Sequence, residues 1–181
     1  MVEGSRERRM EMGESMIGKV VLAGALATLF DEGFHGAKGA GTWYVDNDPG
    51  CGLFGTLEAL DAAAASQPLA PGDPLTAAAH ADHVRFALNL ANRAAAGENP
   101  YPTADWSRSF DARIVDEAEW KSLLASLRAE VASLRAVVAS GRILEDETFA
   151  TGAIGLISHT AWHLGALRQG LGLVRAPTAR P

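Results

Sequence analysis

The sequence contains a single cysteine, Cys51, and lacks any long apolar run. These two features exclude several classes of protein. One cysteine excludes an intramolecular disulfide framework and a Cys-x-x-Cys metal site, so a reducing cytoplasm is the expected location. The apolar run from Val20 to Phe30 follows three arginines, as in a signal peptide, but Lys19 and the helical spacing favour a core-facing helix. No other stretch approaches the roughly 20 apolar residues that a membrane span needs, and no membrane is expected as a partner.

Clustered positive charge is missing as well. The formal net charge is -6 and the basic residues are scattered, so the chain has no electrostatic footprint for a phosphate backbone. Nucleic acid is therefore not an expected partner. The 181 residues, 48% of them hydrophobic, suffice for one core. We expect a flexible extension over residues 1–15, one domain over 16–175 and a tail over 176–181.

Apolar periodicity predicts an all-α protein. One stripe of apolar residues recurs at spacings of three and four in each long segment, and no segment alternates as a β-strand does. The expected long helices run from about Ile17 to His35, Leu75 to Ala96, Asp116 to Gly141 and Phe149 to Leu173, with a shorter one from about Leu53 to Ser66. Four long helices with one apolar face each predict a four-helix bundle.

The segment Gly36 to Gly55 is rich in glycine and contains Pro49, so it predicts a long irregular loop after the first helix. Such loops are uncommon in small domains and are more often functional than idle. Trp43, Tyr44 and Phe54 are expected to seal this loop onto the bundle. Cys51 is expected to be incidental rather than catalytic.

Histidine is the residue type that points to chemistry. His159 and His163 are four residues apart on the last helix, so both imidazoles project from one face and can reach a single metal ion. His80 and His83 are three apart on another helix, with His83 on the expected inward stripe. A plain reading as surface or core histidines stays open for each pair alone. Thr160 stands where an HExxH metalloprotease has its glutamate, which removes that general base.

The stretch His159-Thr-Ala-Trp-His163-Leu-Gly-Ala-Leu-Arg168-Gln169 resembles the HxxxHxGxxRQ signature of DinB/YfiT-like proteins. Residues 76–86, TAAAHADHVRF, resemble the second-helix segment of that family, and 105–110 resemble its DWSxSW motif with Phe110 in place of tryptophan. The resemblance covers most of the chain from about Leu26 to Gly170.

The resemblance implies one divalent metal ion, such as zinc, nickel or iron, held by one histidine of the second long helix and two of the last. Carried over position by position, these are His83, His159 and His163, with His80 as the competitor for His83. Members of the family include metal-dependent transferases that use small thiols such as mycothiol or bacillithiol. A low-molecular-weight thiol is thus a possible second cofactor, and the catalytic residues stay unassigned.

Three imidazoles without a carboxylate or cysteine leave coordination positions open, as in catalytic zinc sites. The leading hypothesis is a metal-dependent transferase of a small thiol onto an electrophile, with a small-molecule substrate and a homodimeric assembly. A metal-dependent hydrolase, a non-catalytic metal-binding stress-response bundle and a plain helical interaction protein remain as alternatives.

Overall fold

The computed structural model describes residues 3–39 and 41–173, with side chains from residue 16 onward. Within these ranges the chain is helical and contains no β-strand, which confirms the all-α prediction. The six α-helices are α1 (Glu3–His35), α2 (Leu53–Glu58), α3 (Ala62–Ala65), α4 (Ala77–Ala95), α5 (Glu117–Ala139) and α6 (Glu147–Gly170).

Two helices differ clearly from the sequence-based boundaries. The first helix begins at Glu3 rather than Ile17, and the flexibility of residues 1–15 stays a prediction. The expected helix from Leu53 to Ser66 is split into α2 and α3, because the Asp61 side chain accepts a hydrogen bond from Ala64 N–H and starts a new helix. The predicted tail 176–181 lies outside the described residues.

Side-chain caps fix the starts of the helices that carry the core and the histidines. The sequence predicts a capping box of Asp116 and Glu119 at the start of α5, and the structure confirms it. The Thr76 hydroxyl accepts from Ala79 N–H at the start of α4, and Asp146 accepts from Phe149 N–H at the start of α6. These caps set where each helix begins.

The long helices enclose one core. Helices α1 and α4 each contact both α5 and α6. The apolar spacing predicts a seam along α5, of which Trp120, Leu127, Val131, Leu134 and Val138 are buried and Leu124 is half-buried. For α6 the sequence predicts an inward stripe of Ile154, Ile157, Ala161 and Leu164, and this is wrong in part: Ile154 is 53% exposed, whereas Thr160 and His163 are buried. Apolar spacing alone missed this face because polar residues occupy two of its inward positions.

The glycine-rich loop is attached to α1 by a buried carboxylate. Glu32 is 6% exposed and accepts hydrogen bonds from the backbone N–H groups of Trp43, Tyr44 and Val45 at 2.7 to 3.1 Å. The Tyr44 hydroxyl donates to the Leu29 carbonyl. Tyr44 therefore ties the loop down as expected, but the Trp43 side chain is 76% exposed and does not.

Among the helices in the described part of the chain, none combines the length and the apolar character needed to cross a bilayer.

Candidate metal centre

Helices α4 and α6 bring three histidines together. Nε2 of His159 lies 3.0 Å from Nε2 of His83 and 3.0 Å from Nε2 of His163. Ligand atoms of all three lie within 4.8 Å of one another. His83 comes from the middle of α4, and the other two lie one turn apart on α6, as their spacing predicts. These three histidines could hold a metal ion.

The ring of His83 is fixed from two sides. The Phe110 ring stacks on it with centroids 4.0 Å apart and planes 10° from parallel. Its Nδ1 lies 2.8 Å from the Ser109 hydroxyl, which donates its own hydrogen to the Trp106 carbonyl at 2.7 Å. Because that hydrogen is already used, the Ser109 oxygen must accept from Nδ1–H of His83. Neutral His83 therefore carries its lone pair on Nε2, directed at His159.

His163 is oriented by His80, the residue that competes with His83 in the sequence. The two Nδ1 atoms are 2.7 Å apart and both residues are buried. When His163 donates from Nδ1–H and His80 accepts, the lone pair of His163 is on Nε2. This atom and Nε2 of His83 then both face His159. His80 thus lies behind His163, on the far side of its ring from the other two histidines.

His159 is held less firmly than the other two. Its Nδ1 is buried, and no group among the described residues hydrogen-bonds to it. Histidine ligands usually donate this second N–H to a fixed acceptor. The edge of its ring meets the face of the His163 ring at 4.4 Å between centroids, so packing sets its orientation instead.

Burial keeps the three imidazoles neutral. Desolvation, with the neighbouring histidines adding to it, lowers the pKa of His83 to about 4 and that of His163 to about 2. Desolvation also lowers the pKa of His159. Neutral imidazole is the form that binds a metal, so the site favours the state a cation needs.

The donor set fits a divalent ion of borderline softness. Nitrogens that bind one tetrahedral zinc ion at about 2.0–2.1 Å are about 3.3 Å apart, close to the two 3.0 Å separations. Three imidazoles suit zinc, nickel and iron alike. Two of the three nitrogen–nitrogen separations therefore lie close to those of a ligating arrangement.

Sequence reasoning missed the residues that orient the clustered histidines. Polarity alone suggests Asp82, Asn89 and Gln169 as acceptors for their second N–H groups, but Asp82 pairs with Arg85 and Asn89 donates to Glu130. The Ser109 hydroxyl takes that place for His83. It lies 26 residues from His83 in sequence, so no helical spacing could have identified it.

The remaining candidates lie outside the histidine cluster. The Cys51 thiol is buried and donates to the Asp46 carbonyl. Arg168 pairs with the Asp46 carboxylate at 2.9 Å, which joins the loop to α6. Trp162 is 62% exposed and meets the His163 ring at 90°. None of the three supplies a ligand atom to the cluster.

No protein-family model matches the chain, and neither a curated protein nor a solved structure matches it.

Proposed function

We propose that the protein is a four-helix bundle of DinB/YfiT-like type that holds one divalent ion, zinc, nickel or iron, through Nε2 of His83, His159 and His163. The observation that carries the proposal is the hydrogen-bond chain from His83 through Ser109 to the Trp106 carbonyl. It leaves the Nε2 lone pair of a neutral, half-buried histidine facing two other imidazoles, an arrangement that suits a cation.

We further propose that the reaction is transfer of a small thiol onto an electrophile. When bound, the ion supplies Lewis acidity that favours a thiolate over a thiol. In the transfer, a sulfur–carbon bond forms, the bond from that carbon to its leaving group breaks, and the leaving group departs with the electron pair. The thiol proton goes to solvent, so no protein nucleophile is needed.

The polar groups around the site argue against hydrolysis that is assisted by a protein base. Among the described residues, no carboxylate hydrogen-bonds to any of the four clustered histidines, and Thr160 stands at the glutamate position of a metalloprotease motif. A water nucleophile would therefore lack a protein general base. Cys51 is tied to a backbone carbonyl and gives no competing thiol.

The first test measures metal content in protein purified without a histidine tag. Wild type should carry about one ion per chain, and His83→Ala or His163→Ala should lose it while circular dichroism stays helical. His35→Ala is the matched control, because His35 is an exposed helical histidine outside the cluster. If His80→Ala loses the ion and His83→Ala keeps it, the ligand set is wrong.

The second test addresses the thiol. Cobalt-loaded protein is titrated with mycothiol, bacillithiol, glutathione and cysteine, and a thiolate-to-cobalt absorption band is expected with at least one of them. Transfer of that thiol to a model electrophile should be faster with wild type than with His163→Ala. If no thiol changes the spectrum and the two rates agree, the transferase proposal is wrong and a non-catalytic metal-binding bundle is the better account.

A further inference from the structure

An apolar cavity of about 430 Å³ opens between α4 and α6 beside the histidines. Volumes of this size are typical of small-molecule sites. The walls are mostly alanine, glycine, leucine, isoleucine and aromatic side chains, and His159 is the one lining residue that belongs to the histidine cluster.

The cavity continues the cleft that holds the histidines. On α4, Ala87 lies one turn beyond His83, and Ala91 and Ala94 follow on the same face. On α6, Gly155 and Gly152 precede His159 by one and about two turns. From His83 to Ala94 the helix rises about 16 Å. One elongated molecule can therefore lie along both helices with an end at the histidines.

The chemistry of the walls selects an uncharged occupant. Glu98 is the one charged side chain among the lining residues, and it is paired with Arg93 at 2.7 Å. Tyr101, Trp106 and Phe149 border the cavity with 50%, 45% and 41% of their surfaces exposed. An apolar ligand in the cavity would remove the exposed surface of these three rings from water, which favours binding.

We propose that this cavity binds the electrophilic substrate, and that the substrate is an uncharged molecule with an apolar body whose reactive end lies at His159. The inference rests on the proposed function, since it gives the electrophile of the thiol-transfer reaction its binding site. The small thiol is the poorer occupant, because its polar groups would find few hydrogen-bond partners along these walls.

The test uses variants that fill the cavity without disturbing the core. A Cβ at Gly155 would meet no atom within 4 Å, so Gly155→Leu places a side chain into open space in the middle of α6. Replacing helical glycine also favours the helix, so the variant should fold. Gly24→Leu is the matched control, because Gly24 also sits in a helix with nothing within 4 Å and does not line the cavity.

The first probe is the uncharged dye N-phenyl-1-naphthylamine, followed by fluorescence with and without added zinc. Wild type and Gly24→Leu should bind it equally, and Gly155→Leu should bind it at least about tenfold more weakly, because the leucine occupies the apolar space. Equal binding by all three proteins overturns the proposal. A change of oligomeric state in Gly155→Leu, with dye binding unaffected, would mean that the cavity is an interface between chains and would also overturn it.

The second probe is a series of straight-chain hydroxamates on zinc-loaded protein, measured by calorimetry. Affinity should rise about fourfold per added methylene in wild type and stop rising at shorter chains in Gly155→Leu. Affinity independent of chain length in wild type would place the tail outside the cavity and contradict the inference. Dye binding by protein that takes up no metal would instead refute the proposed function and leave the cavity as an apolar ligand site, so the two failures are distinguishable.

Discussion

The four clustered histidines have different roles although they are the same residue type. His83 and His163 each have their Nδ1 atom hydrogen-bonded, to Ser109 and to His80 respectively. His159 has no such partner among the described residues. The hydrogen bonds that fix the lone pairs therefore come from one loop serine and from the fourth histidine.

Ser109 gives a prediction that separates metal binding from folding. Ser109→Ala removes the acceptor of His83 Nδ1–H and lets the ring turn or change tautomer, so metal affinity should fall by about 10- to 100-fold. Competition with a chelator of known affinity measures it. Ser107→Ala serves as the control, since Ser107 lies in the same loop but its hydroxyl bonds to Asp105. Equal affinity in the Ser109 variant and wild type would contradict the role of the hydrogen-bond chain.

The pH dependence of metal binding follows from burial. The pKa of His83 is lowered to about 4, and those of His159 and His163 are lowered too, from an ordinary value of about 6.5. His83 and His163 therefore stay neutral as pH falls through 6.5, so protons compete with the ion less than they would at three free imidazoles. Affinity should fall by less than about tenfold between about pH 7.5 and about pH 6, and by about tenfold per unit or more once His83 protonates.

Titration of chelator competition against pH checks this expectation. A tenfold loss per unit that begins already near pH 6.5 would mean that the histidines are solvated like free imidazole. Such a result would contradict the buried arrangement of the three rings rather than the choice of ligands.

At the scale of elements, the loop after α1 depends on one carboxylate. Glu32 accepts hydrogen bonds from three consecutive backbone N–H groups of that loop. The sequence indicates the loop through its glycines, but not the partner, because the contact spans 11 to 13 residues and follows no local pattern.

Glu32→Gln is expected to destabilise the fold. Glutamine removes the charge that strengthens these hydrogen bonds and turns one acceptor oxygen into an NH₂ group that would face the Trp43 N–H, so the free energy of unfolding should fall by about 1–3 kcal/mol. Urea denaturation followed by circular dichroism measures the loss. Glu145→Gln, at an exposed glutamate, should change stability by less than about 0.5 kcal/mol. Similar small effects in both variants would show that the three hydrogen bonds do not hold the loop.

At the scale of the whole molecule, the histidine cluster joins helices that are far apart in sequence. His83 and His159 are separated by 76 residues and lie on α4 and α6. An ion held by both helices binds the folded chain and not the unfolded one, so metal binding and folding are linked.

Metal should therefore stabilise the protein in proportion to its affinity. Free zinc at 100 times its dissociation constant should raise the free energy of unfolding by about 2.7 kcal/mol. Thermal unfolding with zinc and with a chelator would measure it, and His159→Ala should show no difference between the two conditions. The same unfolding temperature of the wild-type protein with zinc and with the chelator would contradict metal binding by the folded state.

The sequence by itself determined that the chain is helical, where α5 begins and which faces of α5 pack, because these depend on periodicity and on caps within a few residues. It also determined that His159 and His163 share a face of α6, since a spacing of four is local. It could not determine the inward face of α6, where Thr160 and His163 replace apolar residues.

Only the tertiary structure decided which histidine of α4 brings its Nε2 atom to the Nε2 atom of His159. The rotation of α4 about its axis places His83 Nε2 against His159 and leaves His80 behind His163. It likewise decided that Ser109 and Phe110 hold the His83 ring, and that small residues of two helices face each other across a cavity. Each of these depends on contacts between segments distant in sequence, and local spacing carries no information about them.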